Sequence, residues 1–395
     1  MFKRITWAAK SLPRRSWIGF VLAFSLIFLI FLWHLGNLTP GMSQQELAYA
    51  NSSRSWSSIV DNPINAPHKL IQLAIYKVAP THPSLLRLAS ILFALIFCLA
   101  FYNLAKTWFG RAIGLFANLI FASLPLLVVG ARQAFPAVLF FAPIVFITLY
   151  GWLLKTRGSK DLAWLASCIV VAVFCFTPGM LIWLAAAVLV CRKNLAKTLH
   201  GLPARALAGG SLIIAAALGC LAWALAQHHK LIHSLFLVPS HVPDGLETLK
   251  RLVWMTLSWF IRTGHNDPLL VGRLPLLSIL ATALLVFGVY AMLGASRVKA
   301  FTLGLSVLYA VLLAGLNDNI ELLAFGLPSI GIFIAAGLRY LYIEWRSVFP
   351  RNPVPRTFAL VLIAGVAAIQ VYFGLRYSLA AWPSAPSTRA TYVLK

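Results

Sequence analysis

Glu46 is one of only nine acidic residues in a chain of 395, and it stands in "GMSQQELAYA", residues 41–50. A carboxylate beside apolar helices at a water–lipid boundary has its proton affinity raised toward the range where it can take a proton from a hydroxyl. Lys69, Arg87 and Arg132 follow it along the chain. Planar guanidinium and compact ammonium groups at that depth suit the phosphate of a lipid-linked molecule. Each residue also has a plainer reading. Glu46 lies three places after Ser43, the S-x-x-E spacing of a capping box, and arginines at helix ends commonly reach for lipid headgroups. From spacing alone both readings stay open.

Other candidates carry less. Histidines 228, 229, 233, 241 and 265 crowd one loop, and His229 and His233 are four apart, the helical spacing of metal ligands. No glutamate follows either in an H-E-x-x-H pattern, so no metal site is expected. Asp267 in "RTGHNDPLL", and Asp318 and Glu321 in "LNDNIELL", read as turn and helix-cap residues. Asp61 opens "DNP", a turn signal. Cysteines 98, 168, 175, 191 and 220 fall in or beside apolar runs without a C-x-x-C spacing, as reduced core residues do.

The elements that must position these groups are legible from composition. Hydrophobic residues make up 61% of the chain and charged residues 11%. No soluble fold hides that much apolar surface, and the apolar blocks approach the roughly 20 residues needed to cross a bilayer. The expected class is all-α, a polytopic transmembrane bundle forming one integral membrane domain over 1–395. A β-barrel would show short alternating segments instead. The runs are 17–35, 85–106, 112–130, 135–154, 161–176, 178–191, 206–227, 274–293, 298–316, 320–341 and 357–376, eleven crossings in all, with the fifth and sixth short and meeting at Thr177-Pro178-Gly179.

The net charge of +24 is spread over short loops, which fits topology signals and anionic lipid and argues against nucleic acid. The first run follows Lys3, Arg4, Lys10, Arg14 and Arg15 without a clean cleavage site, and reads as a retained anchor. With the amino terminus cytoplasmic and the carboxyl terminus outside, 20 of the 33 basic residues lie on the inner side. Seven of the nine acids then fall on the outer side, a pointer to chemistry there. Two outer loops are long, 36–84 and 228–273. The first holds two expected interfacial helices, 43–58 and 66–79, the latter with Leu70, Leu73, Ala74 and Val78 on one face. The second holds "ETLKRLVWMTLSWFIRTGH", a further interfacial helix.

Residues 36–150 resemble the GT-C class of polytopic membrane glycosyltransferases, among them protein O-mannosyltransferases and the lipid A aminoarabinose transferase. In that class the first outer loop opens with Asp-Glu and, shortly after, Tyr-Ala. Here the same place reads Gln45-Glu46-Leu47-Ala48-Tyr49-Ala50. A Pro-Pro-Leu-like segment is matched by "NPINAPHKL", with Pro67, His68 and Lys69. The start of the second helix is matched by "LLRLASILFAL", with Arg87. A Phe-Gly-Arg turn appears as Phe109-Gly110-Arg111. A Ser-Pro, then Ser-Arg-x-x-x-Pro-Asp pattern is matched by "SLPLLVVGARQAFPAV", with Pro125, Arg132, Pro136 and Ala137. Two departures stand out: Gln45 and Ala137 occupy places where the class keeps acids.

The resemblance implies transfer of a sugar from a polyprenyl-phosphate donor to a glycan, lipid or protein acceptor on the outer face of the plasma (inner) membrane, with inversion at the sugar carbon. It implies Glu46 as the base, and Arg132, Arg87 and Lys69 as phosphate ligands. Asp61, His68, Asp267 and Asp318 are possible acceptor or cation contacts. No cofactor is called for, and a divalent metal stays open. Because glutamine is neither base nor anionic ligand, the alternative is a degenerate relative that binds lipid-linked glycans without turnover. A transporter is disfavoured, since the spans hold few charges and the acids gather at one surface.

Overall fold

The computed structural model describes residues 16–35, 39, 41–79, 83–155, 159–239, 244–261, 271, 274–348 and 353–393. These residues fold into helices. In chain order they are α1 (Ser16–Leu32), α2 (Gln44–Ser52), α3 (Trp56–Asp61), α4 (Ala66–Val78), α5 (Leu88–Phe109), α6 (Arg111–Ala122), α7 (Pro125–Ala131), α8 (Pro143–Lys155), α9 (Lys160–Phe174), α10 (Met180–Leu199), α11 (Ala204–Gln227), α12 (Lys230–Phe236), α13 (Gly245–Leu257), α14 (Ile279–Ala295), α15 (Arg297–Asn317), α16 (Leu327–Val348) and α17 (Pro353–Leu375). Short 3₁₀ turns precede α5, α8 and α16, at Pro83–Arg87, Pro136–Phe141 and Ile320–Phe325.

The protein is an integral membrane protein, and each of the eleven expected runs is met by helix. Six of the described helices are long and apolar enough to cross a membrane, and α6 with α7 makes a seventh if the bent pair is one span. That pair is broken by 64°. Pro125 at the start of α7 has no N–H to continue the ladder, and Ser123 turns its hydroxyl back to the Ile120 carbonyl. Of the remaining runs, α1, α9 and α14 are shorter. α9, with 15 residues, rises only about 22 Å against a hydrocarbon layer of about 30 Å. α10 turns polar at Arg192, Lys193 and Lys197. The two meet at the Thr177–Gly179 turn but do not pair along their length: α9 packs chiefly on α11 and α8. Gly179 takes the left-handed φ of 73° that its turn requires, and its carbonyl accepts from the Tyr309 hydroxyl at 2.6 Å.

Backbone-to-backbone packing sets the core. α14 lies directly on α16: a Cβ on Gly288 would stand 1.7 Å from the Phe333 carbonyl oxygen, and one on Gly337 would stand 2.1 Å from that of Leu284. Small residues allow helices in lipid this close an approach. Phe101 of α5 and Phe121 of α6 stack at 4.2 Å in the buried cluster behind them.

The long loops gather at one end of the bundle, the loop face, and the Phe109–Arg111 turn lies at the other. The expected helix 43–58 is two helices, α2 and α3, each started by a serine cap, Ser43 and Ser55. α4 meets the expected helix 66–79, with Leu73 turned inward from the apolar stripe. Its buried residues are His68, Lys69, Gln72 and Leu73, while Leu70 and Val78 are exposed. At a membrane boundary an apolar face finds lipid without the protein's help, so the polar face turns inward to the bundle. The carboxyl-terminal extension also folds onto the loop face. Its short turns Trp382–Ser384 and Pro386–Thr391 bury Trp382, Thr388 and Tyr392.

Candidate functional site

Residues 132–135, between α7 and the 3₁₀ turn before α8, form the hub of the loop face. Glu46 reaches it from the first turn of α2. Its Oε1 accepts from the Ala134 amide at 2.7 Å and from Arg87 Nε at 3.3 Å. Its Oε2 accepts from Arg87 Nη2 at 3.1 Å and from the Ser43 amide at 3.1 Å. The capping box is therefore real, and it is one part of a larger clasp. The side chain of Glu46 is 1% exposed, so both oxygens are committed in a dry environment. Arg87, at the start of α5, spends its remaining donors on the Thr39 hydroxyl and the Gly41 carbonyl. The expected base and one expected phosphate ligand thus face each other as a buried ion pair.

Arg132, close enough to feel the charge of Arg87, turns its guanidinium elsewhere. Its guanidinium donates to the carbonyls of Ile30, Phe31 and Trp33. These are the carbonyls that the end of α1 leaves without intrahelical partners, and a fork of five donors suits them. As it stands, Arg132 is a cap on α1 rather than a cation open to a ligand.

Lys69 is different. It is buried on α4, and its ammonium donates one hydrogen bond, to the Asn62 carbonyl at 2.7 Å. It sits over the Tyr49 ring at 5.5 Å from the centroid. No carboxylate pairs with it among the described residues. An ammonium carries three donors, so two are left over. Burial lowers its pKa from 10.5 to about 8. The adjacent His68 is pushed down to about 3, first by burial and then by the Lys69 charge, so it is neutral. Its Nε2 meets the Ser90 hydroxyl at 2.8 Å, which places His68 in the hub's packing and away from an acceptor. Burial also raises the Tyr49 hydroxyl well above 10.

The other expected contacts scatter. Asp61 is exposed at the end of α3, one residue before the carbonyl that anchors Lys69. Asp318 is exposed in left-handed backbone at the end of α15 and lies 3.8 Å from Arg251. The capping oxygen of that loop belongs to Asn319, which accepts from the Glu321 amide. Asp267, His241 and His265 lie outside the described residues. His229 and His233 are exposed, and no metal-holding cluster of His, Cys, Asp or Glu occurs among the described residues. Gln45 is exposed, and Ala137 is buried in the 3₁₀ turn before α8.

Several hub residues carry no motif. Gln72 accepts from Ser53 at 2.9 Å and donates to the Ala134 carbonyl at 2.8 Å, so Ala134 is held from both sides. Ser90 donates to the Gln133 carbonyl, and the Gln133 amide reaches the Tyr392 hydroxyl at 2.6 Å. The spacing of His68, Lys69 and Gln72 on one helical face was the available signal for Gln72. Tyr392 had none.

A long apolar groove opens on the flank of the bundle. It is lined by residues of α14, α15 and α16 together with Val190, Thr256, Trp259 and Phe260, and has a volume of about 870 Å³.

This architecture is that of the GT-C fold. Two solved structures carry it: ArnT from Cupriavidus metallidurans in the apo state, at TM-score 0.61, and the same protein bound to undecaprenyl phosphate, at 0.58. Each is 15% identical to this chain. The first likeness covers 92% of this chain and the second 96%, each over 76% of the ArnT chain. No protein-family model and no curated protein matches by sequence.

Proposed function

We propose that this protein transfers a sugar from a polyprenyl-phosphate donor to an acceptor at its loop face, with the amino terminus cytoplasmic and the loop face outside. The observation that carries the proposal is Lys69: a buried cation with no carboxylate partner and two donors to spare among the described residues, on a fold shared with a protein bound to undecaprenyl phosphate. In this reading Lys69 holds the donor phosphate beside Tyr49, and its charge stabilises the phosphate as it departs. Glu46 and Arg87 are positioning residues that fix the 132–135 hub and the start of α5, and Arg132 ties α1 to the same hub. Asp61, exposed beside the Lys69 anchor, takes the proton of the acceptor hydroxyl as that oxygen bonds to the sugar carbon and the carbon–phosphate oxygen bond breaks. Displacement from one face of the sugar carbon inverts its configuration.

A second reading has its own support. The carboxylate at the motif position is consumed by Arg87, and Gln45 precedes it, which favours a protein that binds the lipid-linked sugar without turnover. One assay separates the two. The purified chain in lipid nanodiscs is given an undecaprenyl-phosphate sugar and membrane acceptors. Release of free undecaprenyl phosphate, lost in Lys69→Met and Asp61→Asn, supports transfer. Lys69-dependent binding with no release identifies the binder, and no Lys69-dependent binding overturns both readings.

A further inference from the structure

α14 and α15 are joined by Ser296 alone, yet they part company. α14 is drawn onto α16 by the glycine contacts at Gly288 and Gly337. α15 leans instead toward α13, where Gly315 meets Leu252, and toward the Ile320–Phe325 turn. The wedge between them is the apolar groove. It runs from Trp259 and Phe260 at the loop face to Arg297 and Val298 at the opposite end. From Val298 to Val311 along α15 it extends about 20 Å, more than half of a hydrocarbon layer of about 30 Å.

The placement of charge is the informative feature. Among the groove's described lining residues Arg297 is the one charged group, and it lies at the end away from Lys69. Lys299 stands at the same end, stacked on Trp108 at 4.6 Å. A polyprenyl-phosphate donor with its phosphate at Lys69 has its head at the wrong end for Arg297. An amphiphile with an anionic head at Arg297 and an apolar tail running toward Trp259 matches both lining and charge.

We propose that this groove is a binding site for an anionic glycerophospholipid of the leaflet opposite the loop face. Its phosphate meets Arg297, and one acyl chain lies between α14 and α15. The lipid fills the wedge that the α14–α16 contact opens and so braces α15, which carries Tyr309 and Asn317 to the 176–179 and 237 segments of the loop face. The groove and its charge stand without the assignment at Lys69, and the exclusion of the polyprenyl donor as occupant rests on it.

Native mass spectrometry of the full chain, released from detergent with phosphatidylglycerol or phosphatidylcholine of identical chains, tests it. The expected result is retention of phosphatidylglycerol over phosphatidylcholine by roughly tenfold, because both carry the phosphate but the choline cation offsets its charge beside Arg297. Arg297→Gln should abolish that preference. Gly304→Phe should abolish retention, because Gly304 lines the groove with nothing within 4 Å of an added Cβ, so the ring fills space without forcing the backbone. Equal retention of the two lipids, or a preference that survives Arg297→Gln, overturns the site. Arg297-dependent retention of undecaprenyl phosphate in place of phosphatidylglycerol overturns the assigned occupant.

Discussion

Glu46 and Arg87 meet at 3.1 Å although 41 residues separate them in the chain, and their side chains are 1% and 5% exposed. A buried pair of this kind adds little net stability, but removing one partner strands the other charge in a dry site. Glu46→Gln is therefore expected to destabilise the fold by about 3 kcal/mol. The readout is a lower melting temperature in detergent. Adding Arg87→Met to the same chain should recover most of the loss. A Glu46→Gln protein that is as stable as the parent but transfers no sugar would return Glu46 to the role of base.

Lys69 sets a pH dependence. Its folded pKa is lowered from 10.5 to about 8, so between those values the unfolded chain holds a proton that the folded chain has released. Stability from this group therefore rises as pH climbs through that window. Phosphate binding runs the other way, because it needs the ammonium. Affinity of the purified protein for an undecaprenyl-phosphate sugar should fall as pH rises past about 8, and Lys69→Met should be weak and flat across the same range. An identical pH profile in Lys69→Met would remove Lys69 from the site.

Arg132 separates brace from ligand. Arg132→Ala leaves three carbonyls at the end of α1 without their donor, at a cost of about 2–3 kcal/mol. Lysine restores the charge but not the fork, so Arg132→Lys should rescue only part of it. The expected outcome is a lower melting temperature with lipid-phosphate affinity unchanged in the protein that remains folded. Loss of affinity at full stability would make Arg132 a ligand.

The bundle was legible because lipid leaves few options: a run of apolar residues near 20 long must satisfy its own backbone, and only helix does so along one segment. The capping box was legible for the same local reason, since Ser43 and Glu46 are three residues apart and their geometry is set within one turn. What spacing could not give was partnership at a distance. Glu46 is a base in one setting and a brace in another, and the difference is Arg87 and the Ala134 amide, 41 and 88 residues away. On α4 the apolar stripe was legible and the opposite face was not: beside a bilayer Leu70 and Val78 face outward, and Lys69 goes in.

The carboxyl-terminal tail closes the hub. Tyr392, 3% exposed, takes the Gln133 amide at 2.6 Å and packs its ring edge-on to Trp382 at 5.4 Å. Tyr392→Phe keeps the ring and leaves a buried amide donor without its acceptor, at a cost of about 1 kcal/mol. Because that cost falls on docking of the tail rather than on the bundle, it should appear as local opening and not as a fall in melting temperature. Arg389 lies in the docked helical turn, where Nε donates to the Pro383 carbonyl. Trypsin cleavage after Arg389 is expected to run roughly fivefold faster in Tyr392→Phe, in proportion to the larger open population. An unchanged cleavage rate would mean that ring packing on Trp382 alone holds the tail, and that the hydroxyl's bond to the hub is dispensable.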